Sequence, residues 1–118
     1  LDDCQGGKAC GEPLAKFQNS QCALVEMATE IKRGRTFLDK PIVEHMEGSN
    51  VVVDVSMAKY WTSEMAMRVA DRCLQLHGGY GYCEEYPIAR AWRDTRVLSI
   101  FAGTNEIMKV VAARFMGL

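Results

Sequence analysis

The stretch FAGTNEIMK, residues 101–109, combines small and polar side chains that could bind a ligand. Apolar residues recur at three- and four-residue intervals before and after it, which predicts two helices separated by a short turn. Thr104 is then the N-terminal cap of the second helix, and Asn105 and Glu106 add polar groups to its first turn. Because a helix N-terminus has unpaired amides, this turn could bind an anion or the polar edge of a cofactor.

A second polar break, QLHGGYGY at residues 75–82, contains three glycines within four positions. Glycines remove the side chains that would keep a ligand or another backbone at a distance. The break lacks the Gly-Lys-Ser/Thr of a Walker loop, and it follows a helical pattern, whereas a Rossmann glycine motif follows a strand. The spacing alone leaves two interpretations open: a cradle for a ligand, or a glycine C-cap followed by a flexible loop.

Elsewhere the spacing of side chains does not suggest a catalytic or metal centre. Cys73 and His77 are one helical turn apart, but no second pair at zinc spacing accompanies them, and Cys73 belongs to an apolar face. We therefore predict no metal site. Glu84 and Glu85 are interpreted as solvated carboxylates, and His45 as a surface residue near a helix end.

Four helical patterns must position the two breaks, over residues of about 13–47, 51–76, 87–100 and 104–116. Pro41 lies inside the first pattern and predicts a kink or an interruption. Short turns between four helices predict an all-α, up-down four-helix bundle. The apolar positions are Phe17, Leu24, Met27, Ala28, Ile31 and Leu38 in the first pattern, and Val55, Ala58, Thr62, Met65, Val69, Cys73 and Leu76 in the second.

Length and composition are typical of one globular domain. The 118 residues are 48% hydrophobic and carry a net charge of −1, so neither nucleic acid nor a membrane is predicted as a partner. Residues 1–12 are glycine-rich and aperiodic, and we expect a poorly ordered entry segment before a bundle domain at 13–118. Five cysteines without a C-x-x-C pair favour reduced thiols in an intracellular compartment. Because the sequence begins with Leu1 and not methionine, we expect a piece of a longer polypeptide.

Taken together, the two breaks resemble one protein family. Residues 74–107 contain, in order, Gln-x-x-Gly-Gly-x-Gly, Glu-Tyr-Pro, Arg-Asp and Gly-Thr-x-Glu-Ile, and residues 11–31 form a fifth motif, GEPLAKFQNSQCALVEMATEI. This order of motifs resembles the C-terminal helical domain of the acyl-CoA dehydrogenases over about residues 8–118. The segment AGTNEIMK resembles the long-chain branch of that family.

The resemblance implies an FAD-dependent oxidoreductase that converts acyl-CoA thioesters to the trans-2-enoyl form and passes electrons to an electron-transferring flavoprotein. It also implies that an N-terminal helical domain and a middle β-domain precede this bundle. The whole would assemble as a homodimer or homotetramer with FAD between subunits. The compartment implied is the cytoplasm, or the mitochondrial matrix in a eukaryote.

The resemblance assigns the glycine loop to the adenine-diphosphate half of FAD. Gln75 and the backbone of Gly78 and Gly79 would hold that half of the cofactor belonging to a neighbouring subunit, and Gln18 would approach it as well. One departure concerns this half. Where the family has Arg-x-x-Phe-Gly to touch the pyrophosphate, residues 7–11 are GKACG, so a guanidinium and an aromatic ring are missing.

The resemblance also assigns the turn before the last helix. Thr104 and Glu106 would meet FAD at the helix N-terminus, Gly103 would face the thioester, and Arg114 would lie near the substrate pocket. Most of the family carries its catalytic base directly before the Gly-Thr pair, where this chain has Ala102, which cannot accept a proton. We therefore assign no catalytic base in this chain and expect it to be inactive by itself.

The long-chain and isovaleryl branches place their base on an upstream helix that is not among these residues. Two other functions remain open beside that of an enzyme domain. One is a non-catalytic helical assembly module derived from the family, and the other is a diverged binder of CoA or nucleotides.

Overall fold

The computed structural model describes residues 1–9 and 11–118 and confirms the all-α class. Cys10, one of the cysteines predicted to be reduced, lies outside the described residues. The helices are α1 Asp2–Gly6, α2 Gln18–Met46, α3 Val52–Leu76, α4 Pro87–Thr95 and α5 Asn105–Met116; the antiparallel strands are β1 Lys8–Ala9 and β2 Glu12–Pro13; and the 3-10 segments are Leu14–Lys16, Gly78–Tyr82 and Arg96–Ser99.

Helix α3 is the centre of the domain, since α2, α4 and α5 each pack against it, and the long helix α2 lies antiparallel to it. Nη2 of Arg72 lies 2.6 Å from Oε2 of Glu26. Four residues later on α2 and four residues earlier on α3, Nη2 of Arg68 lies 3.4 Å from Oε2 of Glu30. Farther along the pair, a Cβ added to Gly34 would lie 2.9 Å from the Cε atom of Met65. Glycine is therefore what lets the two helices approach at this point.

The structure confirms part of the predicted apolar face of α2, since Met27 is buried and Leu24 and Leu38 are partly buried. The buried residues of this helix are Met27, Gly34 and Pro41, also seven residues apart. Phe17 and Ile31, which belong to the predicted face, are 38% and 51% exposed. Small or flexible side chains form the seam with α3 because they allow close contact, and the bulkier apolar residues flank it.

Pro41 neither ends nor divides α2, so the predicted interruption is wrong. The helix continues from Gln18 to Met46, and Pro41 is buried within it. A proline inside a helix removes one backbone hydrogen bond. Here about six turns of helix precede Pro41 and little more than one follows it. Packing of α2 against α3 offsets the lost bond.

Other boundaries follow the sequence patterns more closely. The helices α3 and α5 have the predicted bounds to within one residue. The helix starting at Pro87 was predicted to reach about Ile100, but α4 ends at Thr95 and the chain continues as a 3-10 segment. On α3, the predicted core residue Val55 is 49% exposed.

The domain is elongated and its core is thin. It measures 57 × 25 × 24 Å, with a radius of gyration of 17.5 Å, against about 13–14 Å for a compact domain of this length. In the described part of the chain, no large side chain is completely buried. No helix there combines the length and the hydropathy that a membrane span needs. Large exposed apolar side chains mark contact surfaces, and they include Val25, Ile42, Val43, Val97, Ile100, Phe101, Ile107, Val110 and Phe115.

Candidate functional site

The turn before α5 has an unusual backbone. Ala102 has a φ angle of 53° and Gly103 one of 94°, so two consecutive residues are left-handed. A Cβ on Gly103 would lie 2.6 Å from Cε of Met108, the end of a flexible side chain that could move, so the left-handed φ is the reason for glycine there. Thr104 is the N-cap of α5 as predicted, since its Oγ1 accepts a hydrogen bond from the amide of Ile107 at 3.3 Å.

A polar network that the sequence patterns did not indicate ties this turn to α3. Lys59 donates from Nζ to the carbonyl oxygen of Gly103 at 2.6 Å and to Oδ1 of Asn105 at 2.9 Å. Nδ2 of Asn105 donates to Oγ of Ser63 at 2.9 Å. Lys59 and Ser63 are one turn apart on α3, but this pairing is common on helices, so no local signal distinguishes it.

Glu106 gives the first turn of α5 a negative charge. Hydrogen bonds from its own backbone amide and from the Thr104 hydroxyl lower the pKa of this exposed carboxyl, and the cations of Lys109 and Lys59 lower it further. The positive end of the helix dipole is therefore already partly compensated. A neutral hydrogen-bonding group fits this terminus better than a phosphate does.

The glycine loop lies at the other end of α3, which stops at Leu76 as predicted. The fold constrains its three glycines to different degrees. A Cβ on Gly81 would lie 2.6 Å from the backbone oxygen of Leu74, so the fold itself excludes a side chain there. Gly78 has a φ angle of 63°, which favours glycine. Gly79 has neither constraint, because its φ is not left-handed and nothing lies within 4 Å of an added Cβ.

Gln18 and Gln75 lie at this same end of the domain. The antiparallel pairing of α2 with α3 brings the first residue of α2, Gln18, to the level of the glycine loop, and both glutamine side chains belong to exposed residues. The structure therefore places Gln18, Gln75, Gly78 and Gly79 at the same end of the domain, all of them exposed. It does so although Gln18 is far from the other three in sequence.

His77 anchors the glycine loop from behind. One ring nitrogen, Nδ1, lies 2.8 Å from the backbone oxygen of Cys73, and the other, Nε2, lies 3.0 Å from Oδ2 of Asp3 on α1. Both ring nitrogens thus have protein partners. Burial raises the pKa of the Cys73 thiol, which favours its neutral form.

The two groups of predicted cofactor residues do not share a pocket. Gln75 follows Lys59, the anchor of the Gly103 turn, by sixteen residues on α3, which corresponds to about 24 Å along the helix axis. Arg114 is nine residues beyond Asn105 on α5, about 14 Å from the turn along that axis, and it is exposed. A ligand held by the glycine loop and one held by the turn therefore occupy different places on this chain.

The comparisons with known proteins define the class. The acyl-CoA dehydrogenase C-terminal domain family matches residues 1–117, so this chain belongs to that family, as the motifs predicted. The mitochondrial long-chain specific acyl-CoA dehydrogenase of Rattus norvegicus is 48% identical to it over 107 residues, which are 91% of this chain and 25% of that protein.

Solved structures agree with this assignment. The crystal structure of acyl-CoA dehydrogenase from Geobacillus kaustophilus matches with a TM-score of 0.95 and 54% identity, over 99% of this chain and 31% of that one. PigA, solved as an FAD complex, matches with a TM-score of 0.90 and 26% identity, over 100% of this chain and 31% of that one. The chain spans a quarter to a third of these relatives.

Proposed function

We propose that this chain is the FAD-contacting and oligomer-forming C-terminal domain of an acyl-CoA dehydrogenase of the long-chain-like branch. The parent protein would oxidise acyl-CoA thioesters to trans-2-enoyl-CoA and deliver the electrons to an electron-transferring flavoprotein. Its compartment would be the cytoplasm, or the mitochondrial matrix in a eukaryote. Family membership and the two intact motifs support this proposal.

Gly79 is the observation that carries the proposal. The fold gives no reason for glycine at this position, whereas a ligand that approaches the backbone closely does. Gly78 and Gly79 are exposed, and the exposed side chains of Gln18 and Gln75 at the same end of the domain offer amide donors and acceptors suited to a dinucleotide. FAD, when bound, supplies the hydride acceptor, and the residues of this chain hold and orient it.

The separation between the two ligand-facing regions supports a subunit-bridging arrangement. With about 24 Å of α3 between them, the glycine loop of one subunit would hold the adenine-diphosphate half of a partner's FAD. The turn with Gly103, Thr104 and Glu106 would face the flavin and the thioester of its own subunit. The exposed apolar residues on α2, α5 and the segment before the turn would be covered in such a homodimer or homotetramer.

Proton abstraction is not a task for this chain in the proposed enzyme. Ala102 stands at the usual position of the base and carries no titratable group. Glu84, a carboxylate near the glycine loop, is paired with Arg93 at 2.9 Å. The base would come from a helix upstream of this chain, as in the long-chain branch, and the isolated chain would be inactive.

A non-catalytic assembly module of the same family is the second candidate function. Two observations favour it: Ala102 offers no base, and residues 7–11 lack the arginine and phenylalanine expected beside the pyrophosphate. Such a module would keep the interfaces of the bundle and would have lost the cofactor.

A domain graft tests the two candidates. In the rat long-chain enzyme, this chain would replace the matching 25%. If the chain is an enzyme domain, the purified graft contains FAD, and anaerobic addition of a long-chain acyl-CoA bleaches the flavin absorbance. A graft that assembles into oligomers but takes up no FAD at any concentration supports the assembly module. The unaltered rat enzyme is the control.

A further inference from the structure

A buried polar cluster lies beneath the turn at residues 101–104. Nζ of Lys59 contacts the Gly103 carbonyl and Oδ1 of Asn105, at 2.6 and 2.9 Å. Asn105 is only 3% exposed, and its Nδ2 also donates to the backbone oxygen of Tyr60 at 3.3 Å. Ser63, the remaining member, is buried as well and bonds Asn105. The cluster joins two segments that are more than forty residues apart.

The ammonium group of Lys59 donates to two neutral oxygens, the Gly103 carbonyl and Oδ1 of Asn105. In residues 1–9 and 11–118, no carboxylate lies within ion-pair distance of its ammonium group. The Lys59 side chain is only partly buried, and Glu106 is close enough for the two charges to interact, although the two do not form an ion pair. Charge-assisted hydrogen bonds are short and directional. Their effect here is to fix the orientation of the Gly103 carbonyl.

That orientation determines where the next amide points. The peptide bond between Gly103 and Thr104 is planar and trans, so the Thr104 N–H points away from Lys59 when the Gly103 carbonyl points toward it. Within the described residues, the amides of Ala102, Gly103 and Thr104 donate to no backbone acceptor. By holding the Gly103 carbonyl, Lys59 therefore directs the Thr104 amide to the opposite side of that peptide bond.

We propose that Lys59 is a positioning residue for the ligand-facing turn, acting with Asn105 to hold the left-handed Ala102–Gly103 backbone. Left-handed alanine is strained and persists only where its surroundings impose it. Without the ammonium group, the turn loses the contact that selects this conformation, and the Thr104 amide loses its fixed direction. The proposal rests on the proposed function, because it treats this face of the turn as the one that meets cofactor and substrate.

Backbone dynamics of this chain test the proposal without any cofactor. Lys59→Met keeps the apolar stem and removes the donors, Lys59→Arg restores donors, and Lys109→Met is the matched control. Lys109 carries the same charge beside the same helix pair, but it lies 4.8 Å over the Tyr60 ring and does not bond the turn. Order parameters of the Gly103 and Thr104 amides would be measured by ¹⁵N relaxation.

We expect order parameters of about 0.85 in the parent chain and in Lys109→Met, below about 0.6 in Lys59→Met, and a return toward the parent value in Lys59→Arg. A folded Lys59→Met chain with a rigid turn would overturn the proposal. So would equal loosening in Lys59→Met and Lys109→Met.

If Lys59→Met does not fold, a measurement on the unaltered chain tests the proposal about Lys59. The amine of Lys59 should react with an acetylating reagent at least tenfold more slowly than that of Lys109, because its protons are held by two oxygens. Equal reaction rates would overturn the proposal. Failure of the rat graft to bind FAD would instead overturn the proposed function, and these two measurements would still stand.

Discussion

Replacing Gly79 with valine tests whether this glycine is needed for binding a ligand or only for the fold of its loop. Nothing lies within 4 Å of a Cβ at this position, and its φ is not left-handed, so valine adds bulk only on the open side. We expect the free energy of unfolding to change by less than about 1 kcal/mol, since restricting the unfolded chain offsets part of any cost.

The cofactor should respond strongly to the same substitution. Valine would displace a diphosphate-bearing ligand from the backbone amides, and a hydrogen bond to a charged group contributes about 1.5–3 kcal/mol. Because about 1.4 kcal/mol corresponds to a factor of ten, loss of one such bond weakens FAD binding at least tenfold. The assay is a titration of the apo-graft with FAD, followed by flavin fluorescence, with circular dichroism on the same samples.

Gly81→Ala is the contrasting variant. Its Cβ would lie 2.6 Å from a backbone oxygen, so about 1–3 kcal/mol of stability should be lost whether or not FAD is present. If Gly79→Val keeps its helix content and binds FAD as tightly as the parent graft, the loop only terminates α3, and our reasoning about Gly79 is wrong.

Four further outcomes are expected. Ala102→Gly relieves the left-handed alanine, so the melting temperature of the chain should rise by about 2–5 °C; an unchanged or lower value would show that residue 102 is not strained. The lowered pKa of Glu106 stabilises the fold above the usual carboxyl pKa of 4.5, and this stabilisation is lost as the pH falls through the lower folded-state value. Glu106→Gln should therefore flatten the acid limb of a stability–pH curve, and an identical curve would contradict the shift. Because many apolar side chains are exposed, the chain should associate in solution, and light scattering from a clean monomer at high micromolar concentration would count against an oligomer-forming bundle. With added FAD and a dye acceptor, the isolated chain should not oxidise any acyl-CoA, and measurable turnover would show that a base exists within it.

Features encoded by neighbouring residues were predictable from the sequence. The bounds of α3 and α5 follow from unbroken periodicity between strong helix ends, and Thr104 is recognisable as an N-cap because its acceptor serves an amide three residues away. The order and spacing of five short motifs were sufficient to identify the family. All of these signals lie within continuous segments of the chain.

Burial on α2 was harder to predict because it depends on the partner helix. Met27, which the pattern places on the apolar face, is buried, but Gly34 is buried as well, because it packs against Met65 and Trp61. Ile31 has the larger apolar side chain and yet remains half exposed. Within one apolar stripe, close packing against the partner helix decides which positions are fully buried, and hydrophobicity alone does not.

The sequence by itself determined the helical class, the two polar breaks, the missing base at Ala102 and the family. Only the tertiary structure decided which glycine of the loop the fold does not need, and that Lys59 reaches the turn before α5 from forty-four residues away. It also separated the two regions predicted to meet the cofactor along α3. The physical reason is that propensity, capping and motif spacing are local properties of the chain, whereas a bond between distant segments exists only after the helices have packed.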